Sequence, residues 1–213
     1  MALDSAAILE ALDDDQRAVA LATRGPVCVI AGAGTGKTRA ITHRIAYAAS
    51  IGTMDPQKVL ALTFTARAAG EMRARLRTLG VPTVAARTVH SAALKQLLFF
   101  WPTVFGGRTP DLITSKGSFL AESVRRASLT SSISIQNRDL MRDIATEIEW
   151  AKVSQVTPVD YVDQVGRRSQ KPRVLPEQMV QIYTAYESIK KQELAIDFED
   201  VLLLCAAMLE EER

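Results

Sequence analysis

The stretch Pro26-Val-Cys-Val-Ile-Ala-Gly-Ala-Gly-Thr-Gly-Lys-Thr38 decides the fold of this 213-residue chain. Pro26–Ala31 is a short, continuous apolar run, which predicts a strand buried on both faces of a parallel sheet. Ala31–Thr38 then fits the phosphate-binding loop pattern, with alanine in the first glycine position, and helical periodicity follows to about Ser50. Because the loop lies between a predicted strand and a predicted helix, the pattern indicates an α/β fold with a nucleotide site.

The loop contains the groups that a nucleoside triphosphate requires. Its glycines let the backbone curl so that successive N–H groups point at phosphate oxygens, and the helix that follows adds the positive end of its dipole. We expect the cradle to consist of Gly32, Ala33, Gly34, Thr35 and Gly36. Lys37 is the candidate for the β- and γ-phosphates and Thr38 for Mg²⁺, which makes these two the candidate catalytic residues. The alternative is a glycine-rich turn that only connects a strand to a helix.

The base is predicted to be adenine. A guanine-specific protein carries its own base-reading element, such as Asn-Lys-x-Asp, and the chain has a single asparagine, Asn137, outside any such run. ATP with Mg²⁺ is therefore the expected cofactor.

Strands and helices alternate in the first part of the chain. Lys58–Phe64 and Thr83–Thr88 read as further strands, and Ala66–Leu79 reads as a helix with one apolar stripe. This order is typical of a parallel, three-layer α/β domain. From Val89 to about Lys191 the pattern is helical, with no convincing strand.

Composition excludes several classes of protein. With 47% hydrophobic and 23% charged residues, the chain is neither a disordered tail nor a disulfide scaffold. It has no apolar run long enough to span a membrane, and its acidic N-terminal stretch does not resemble a signal peptide. Cys28 and Cys205 lie in apolar runs, which indicates small core residues in a reducing compartment. We expect a cytoplasmic protein.

The net charge of +2 conceals an asymmetry. Residues 58–95 contain seven basic side chains and one acidic side chain, Glu71. Such a local excess favours a polyanionic partner. The alternative is an arginine-rich helix face that is simply solvated.

Five blocks of this sequence resemble superfamily 1 DNA helicases of the UvrD/PcrA/Rep type. They come in the family's order and are Leu12–Arg17 (LDDDQR), Gly25–Arg39 (GPVCVIAGAGTGKTR), Thr42–Ile45 (THRI), Leu62–Met72 (LTFTARAAGEM) and Thr88–Ser91 (TVHS). Asp197–Leu204 resembles the family's Asp-Phe-x-Asp-Leu-Leu element. The helical middle matches only in character.

The resemblance implies a base-reading role for two residues. Gln16 corresponds to the family's Q-motif glutamine, whose amide can both donate to and accept from adenine, and Arg39 is implied to pack beside the base. From the residues alone, Gln16 also reads as the third helical position after an N-cap, Asp13. The two interpretations are compatible.

The resemblance also implies contacts with single-stranded DNA. The residues concerned are Thr63, Phe64, Arg67, Thr88 and His90. An exposed Phe64 at a strand end could stack on a base. Without the resemblance, a phenylalanine beside apolar neighbours reads more readily as core.

The chain departs from the family pattern in three places. Asp14 replaces a proline, Ala66 replaces a polar residue, and Val89 replaces a phenylalanine, which weakens the expected contact at that block. In the helical middle, residues 166–173 (GRRSQKPR) could contact duplex phosphates or form a solvated loop.

The resemblance implies a RecA-like ATP-binding domain in its first part over residues 1–100, an all-helical inserted subdomain over 101–194 and a return segment over 195–213. The implied protein is an ATP-dependent 3′–5′ DNA helicase or translocase that acts on single strands and duplex junctions in DNA repair or replication restart. No apolar strand ending in Asp-Glu occurs in these 213 residues, so we expect them to be incompetent for hydrolysis alone. The alternatives are a nucleotide-binding but inactive relative and the helicase part of a helicase–nuclease.

Overall fold

The computed structural model describes residues 4–169 and 172–211. These residues fall into two compact units, which divide in the sequence between Ala92 and Ala93. Helix α5, Val89–Val104, begins before the division and ends after it. The predicted domain boundaries remain a prediction.

The first unit consists of helices around one pair of parallel strands. Its elements are α1 (Ser5–Glu10), α2 (Asp14–Leu21), α3 (Lys37–Ser50), a 3-10 turn (Pro56–Lys58), β1 (Leu60–Thr63), α4 (Ala66–Thr78) and β2 (Ala85–Thr88). The two strands run in register from Leu60↔Ala85 to Thr63↔Thr88. The predicted strands and helices from residue 58 to 88 are therefore confirmed, with shorter bounds for the strands.

Helix α4 shows why the sequence folds in this way locally. Thr65 caps the helix, because its hydroxyl accepts a hydrogen bond from the Ala68 N–H at 3.1 Å. The stripe predicted from the helical period includes Ala69, Met72 and Leu76, all buried in the core of the first unit. Burial of this stripe fixes which face of α4 meets the sheet.

The strand predicted over residues 26–31 is wrong for this structure. These residues have no strand pairing within the described part of the chain, and Ile30 is 96% exposed. A strand requires a neighbour for its ladder, and in the described residues of the first unit β1 pairs only with β2. Cys28, which lies in this run, is exposed rather than part of a core, whereas Cys205 is buried as predicted.

The second unit is mainly helical. Its elements are β3 (Asp111–Leu112), α6 (Gly117–Arg126), α7 (Arg138–Val153), α8 (Tyr161–Gly166), α9 (Pro176–Glu193), β4 (Ala195–Ile196) and α10 (Phe198–Glu211). The expectation of no strand before Lys191 is wrong, because β3 pairs with β4 in parallel. The sequence does not reveal β3 and β4, because two residues are too few to show the alternation of apolar and polar side chains that predicts a strand.

The periodic helices of this unit are confirmed. Ile144, Ile148 and Ala151 of α7 are fully buried. Pro176 occupies the first turn of α9, where its missing N–H costs no hydrogen bond. In the described ranges, no helix combines the length and the apolar character that crossing a bilayer demands.

Candidate functional site

The glycine-rich loop adopts the backbone that its glycines allow. Gly34 and Gly36 have φ angles of +79° and +84°, in the region that L side chains rarely adopt. Gly36 is the residue from which α3 begins, so the loop ends directly at the N-terminus of a 14-residue helix. The Thr35 hydroxyl donates to the Gly32 carbonyl at 2.9 Å and closes the loop on itself. Helix N–H groups and the dipole make this position favourable for an anion.

The Lys37 ammonium lies over the carbonyl side of the same loop. Its Nζ donates to the carbonyl oxygens of Ala31, at 2.8 Å, and Gly32. Lys37 is exposed, so its charge is accessible from solvent. The positive charge of Lys37 therefore lies at the N-terminus of α3, which is the positive end of the helix dipole.

Thr38 occupies the second position of α3. Among the described residues, its hydroxyl has no hydrogen-bond partner, whereas its carbonyl accepts from the Thr42 hydroxyl at 3.0 Å. A hydroxyl without a competing partner is a suitable single ligand for Mg²⁺, which in nucleotide sites retains several waters and takes phosphate oxygens. The Thr38 hydroxyl thus fits one ligand position of a Mg²⁺ ion.

Gln16 occupies the helix-capping position predicted from the residues, and its side chain contacts the glycine-rich loop. Its backbone N–H donates to the Asp13 carboxylate at 2.8 Å, which caps α2 as predicted. Its side-chain amide donates to the Thr35 carbonyl at 3.2 Å and does not turn back to Asp13. A Cβ atom at Gly36 would lie 2.6 Å from Gln16 Nε2. The structure therefore brings Gln16 against the phosphate loop.

Two arginines of α3 hold the chain on either side of α2. The Arg39 guanidinium donates to the Ala11 carbonyl just before α2. Arg44 donates from Nε to Ala22 at 2.7 Å and from Nη2 to Gly25 at 3.2 Å, just after α2. Sequence reasoning assigned no role to Arg44. The only available signal was its place in the THRI block, since an arginine that binds carbonyls has no pattern of its own.

A cavity of about 710 Å³ opens beside the loop. The predicted residues that line it are Gln16, Thr35, Gly36 and Lys37, and Ala31, Asp13, Asp15 and Cys28 also contribute. Gly32, Ala33, Gly34, Thr38 and Arg39 are not part of this lining. The volume lies within the usual range for small-molecule sites. A cavity with an amide at one side and an ammonium at a helix N-terminus suits a polar ring joined to phosphates.

The carboxyl ends of β1 and β2 form a second candidate surface. Thr63 and Thr88 lie opposite each other in the parallel pair. Phe64, which follows Thr63, is 91% exposed, so the alternative that it belongs to the core is wrong. Thr88 caps α5 by accepting from the Ser91 N–H at 3.1 Å, and His90 is half-buried in the first turn of that helix. These residues share one edge, the edge at which open parallel sheets bind ligands.

The basic side chains of α4 are divided between a local ion pair and open solvent. Arg67 pairs with Glu71 at 3.0 Å, with its side chain 90% exposed. Arg73 and Arg77 are exposed and have no ion pair in the described residues. An exposed pair of this kind contributes only about 0.3–0.5 kcal/mol to the helix, so Arg67 remains available to an anionic partner.

The loop at 166–173 is partly engaged inside the second unit. Arg168 pairs with the buried Glu147 at 2.5 Å and lies over the Trp150 ring, 3.8 Å from its centroid. Arg173 pairs with Asp143 at 3.2 Å. Residues 170 and 171 lie outside the described ranges. Arg168 is therefore engaged within the second unit, and the predicted contact of this loop with duplex phosphates remains a prediction.

The Asp-Phe-x-Asp element begins in a cluster of buried charges. Asp197 is fully buried and accepts from Lys152 at 2.7 Å, Lys190 at 3.1 Å and Tyr186 Oη at 3.1 Å. Burial alone would raise the pKa of Asp197, but the two ammonium groups outweigh it and hold this pKa well below its usual range. The carboxylates of Glu187, Asp197 and Asp200 lie close enough to hold a metal ion. The lysine ammonium groups already fill that role, so the cluster reads as structural.

Comparison with known proteins agrees with this arrangement. The family described as the UvrD/REP helicase N-terminal domain matches residues 12–213. The chain is 44% identical to ATP-dependent DNA helicase UvrD2 of Mycobacterium tuberculosis (strain ATCC 25618 / H37Rv), over 99% of the chain and 31% of that relative. It is 31% identical to ATP-dependent DNA helicase PcrA of Leuconostoc citreum, over 91% of the chain and 25% of the relative. It is 45% identical to DNA helicase II of Escherichia coli (strain K12), over 35% of the chain and 10% of the relative. The chain thus spans less than a third of the length of these relatives.

Proposed function

The chain belongs to the UvrD/REP helicase N-terminal domain family, and on that premise we propose that it is the nucleotide-binding part of an ATP-dependent DNA helicase. The single observation that carries the proposal is the position of Lys37. Its ammonium lies on the carbonyls of a glycine-rich loop, at the N-terminus of α3 and in the lining of a large cavity. No neutral connecting turn requires a lysine in that place.

Phosphate binding follows from the groups that the loop presents. The loop N–H groups from Gly32 to Gly36 donate to the phosphate oxygens, and the positive end of the α3 dipole stabilises their charge. Lys37 moves from its carbonyl partners to the β- and γ-phosphates. Thr38 supplies a hydroxyl ligand for Mg²⁺, which neutralises phosphate charge when it is bound. Both partners of Lys37 in the structure are uncharged carbonyls, so a phosphate offers it a stronger hydrogen bond.

Adenine binding is assigned to Gln16 and Arg39. The Gln16 amide faces the cavity and can turn from the Thr35 carbonyl to the base edge. Arg39 lies directly after the loop, and its planar guanidinium is suited to lie against a ring.

The single-stranded DNA surface is proposed at the edge formed by Thr63, Phe64, Arg67, Thr88 and His90. The exposed Phe64 supplies a stacking face for a base, and Arg67 supplies charge for a phosphate. The three relatives are named DNA helicases, and we propose DNA as the substrate of this chain too. Translocation in the 3′–5′ direction, action at duplex junctions and a role in repair or replication restart belong to this proposal.

The domain assignment is part of the same proposal. Residues 1–100 are the first part of a RecA-like ATP-binding domain, 101–194 an inserted helical subdomain, and 195–213 a return segment. Because these 213 residues contain no strand ending in Asp-Glu, a second candidate is a chain that binds nucleotide without hydrolysing it. Measuring ATP turnover with and without single-stranded DNA separates the two, since DNA-stimulated turnover contradicts the second.

Binding of a fluorescent ATP analogue in the presence of Mg²⁺ tests the central claim. We expect saturable binding by the unmodified chain and at least a tenfold loss for Lys37→Ala, which is about 1.4 kcal/mol. Lys58→Ala is the matched control, because Lys58 is also exposed in the first unit but lies away from the cavity. Equal binding by the unmodified chain and Lys37→Ala would remove the phosphate-loop assignment.

A further inference from the structure

Arg44 makes two hydrogen bonds that the proposed function does not use. It lies on α3, half-buried, and donates to the carbonyls of Ala22 and Gly25 at 2.7 and 3.2 Å. In the described part of the chain it has no carboxylate partner, so its charge is directed entirely at backbone oxygens. A half-buried guanidinium that binds two carbonyls of one segment is suited to fix the position of that segment.

The segment that Arg44 holds leads into the phosphate loop. Ala22 is the C-cap of α2, and Gly25 has a φ of +71° just before the run at 26–31. Since that run has no strand ladder in the described residues, the two Arg44 bonds are the hydrogen bonds that join residues 22–30 to α3. Helix α2 also packs against α3, and Arg44 adds two hydrogen bonds just after the C-terminal end of α2.

Helix α2 is also tied to α3 and the loop at two other points. Arg39 binds the Ala11 carbonyl before the helix, and Gln16 binds the Thr35 carbonyl from within it. Gln16 lines the cavity, so a bound base competes for its amide, whereas Arg39 is not part of the lining. Arg44 does not line the cavity, so its two bonds remain when a nucleotide enters.

We propose that Arg44 is a positioning residue of the nucleotide site, which acts through Ala22 and Gly25 to keep Gln16 within reach of the nucleobase. This inference rests on the proposed function and deepens it. Its consequence is selective: without Arg44 the loop and Lys37 still bind polyphosphate, but the preference for a ligand that carries a base is lost.

Two ligands separate this role from a general loss of structure. Titration calorimetry with Mg·ATP and with Mg·tripolyphosphate, which has phosphates but no base, gives the ratio of the two affinities for each variant. For Arg44→Ala we expect ATP binding to weaken about tenfold, as when one well-placed hydrogen bond is lost, and tripolyphosphate binding to stay within twofold. Arg44→Lys retains the charge but not the two-pronged donor, so it should give an intermediate ratio.

Arg24→Ala is the matched control, because Arg24 lies in the same segment, is exposed and makes no hydrogen bond or ion pair in the described residues. Its ratio should equal that of the unmodified chain. An unchanged ratio in Arg44→Ala and Arg44→Lys, or a parallel loss of both ligands in both variants, overturns the inference and leaves the phosphate loop in place. If the unmodified chain binds neither ligand, the proposed function falls and this inference falls with it.

Discussion

Replacement of Gly36 by alanine tests the contact between the phosphate loop and Gln16. Gly36 has a φ of +84°, and a Cβ built there lies 2.6 Å from Gln16 Nε2 and 3.5 Å from Gln16 Cδ. The amide must therefore leave its hydrogen bond to the Thr35 carbonyl. Gly34→Ala is a matched control, because Gly34 has a φ of +79° and no atom within 4 Å of its hypothetical Cβ.

The expected magnitude has two parts. An alanine forced into the left-handed region costs roughly 1–2 kcal/mol, and this part is common to both variants. Displacement of Gln16 adds the loss of one hydrogen bond, about 1 kcal/mol, to Gly36→Ala alone. Steric strain adds little beyond this, since the colliding atom is the end of a flexible side chain. Gly36→Ala should thus lower the free energy of unfolding by about 1 kcal/mol more than Gly34→Ala.

Urea unfolding followed by far-ultraviolet circular dichroism measures this difference, and a double-mutant cycle isolates its cause. In a Gln16→Ala background no amide stands in the way, so Gly36→Ala and Gly34→Ala should then cost the same. The reasoning is refuted if the two glycine variants are equally stable in the original background, or if their difference persists after Gln16 is removed.

Two further features, the exposed Phe64 and the buried Asp197, give the remaining predictions. Phe64→Ala should weaken the binding of labelled single-stranded DNA by about 1–3 kcal/mol in an anisotropy titration. Phe99→Ala should not, because Phe99 is also exposed but lies in the second unit. Asp197→Asn should lower the free energy of unfolding by about 3–5 kcal/mol, because it removes the carboxylate that two buried ammonium groups share. Tryptophan fluorescence in urea, from Trp101 and Trp150, measures this loss, and Asp163→Asn, at an exposed position of α8, should leave the midpoint unchanged. Because the pKa of Asp197 is lower in the folded than in the unfolded chain, its pairing stabilises the protein at neutral pH, and this contribution is lost as the pH falls below about 4. An acid-unfolding profile that is the same in the unmodified chain and in Asp197→Asn would contradict this assignment.

The sequence predicts elements well where a single helix or strand contains all the information. Helix α4 is one case, since its cap at Thr65 and its stripe of buried residues are both local. The run at 26–31 is the opposite case: its apolar residues predict a strand, but a strand exists only when another strand pairs with it. Neither propensity nor periodicity identifies that partner. In the structure the run has no regular secondary structure and is largely exposed.

In the candidate site, too, the features set by local sequence are predictable, whereas those that depend on distant partners are not. The turn from Gly32 to Gly36 and the start of α3 at Lys37 are predictable, because the glycines allow positive φ angles and the helical period begins directly after them. The exposure of Phe64 is implied by the family resemblance but is not predictable from the residues alone, because a lone aromatic residue after a strand has no repeat that shows which way it faces. Arg44 is missed for a related reason, since its partners are backbone carbonyls, which every residue offers and no sequence pattern distinguishes.

In the proposed function, a nucleotide must displace the hydrogen bonds that Lys37 and Gln16 make to the loop. Its ammonium donates to Ala31 and Gly32, and Gln16 donates to Thr35, so the loop's own carbonyls take the place that ligand oxygens and the base would occupy. A bare phosphate competes for Lys37 alone, whereas a complete nucleotide competes for Lys37 and Gln16 together. The contribution of Gln16 to binding of the base is therefore the difference between two of its hydrogen bonds, one to the base and one to Thr35, and that difference is small unless α2 is held in place. Selectivity for a base over a bare polyphosphate then depends on what fixes α2 and not only on the residue that touches the base, which is why the ratio of the two affinities is the informative quantity for this site.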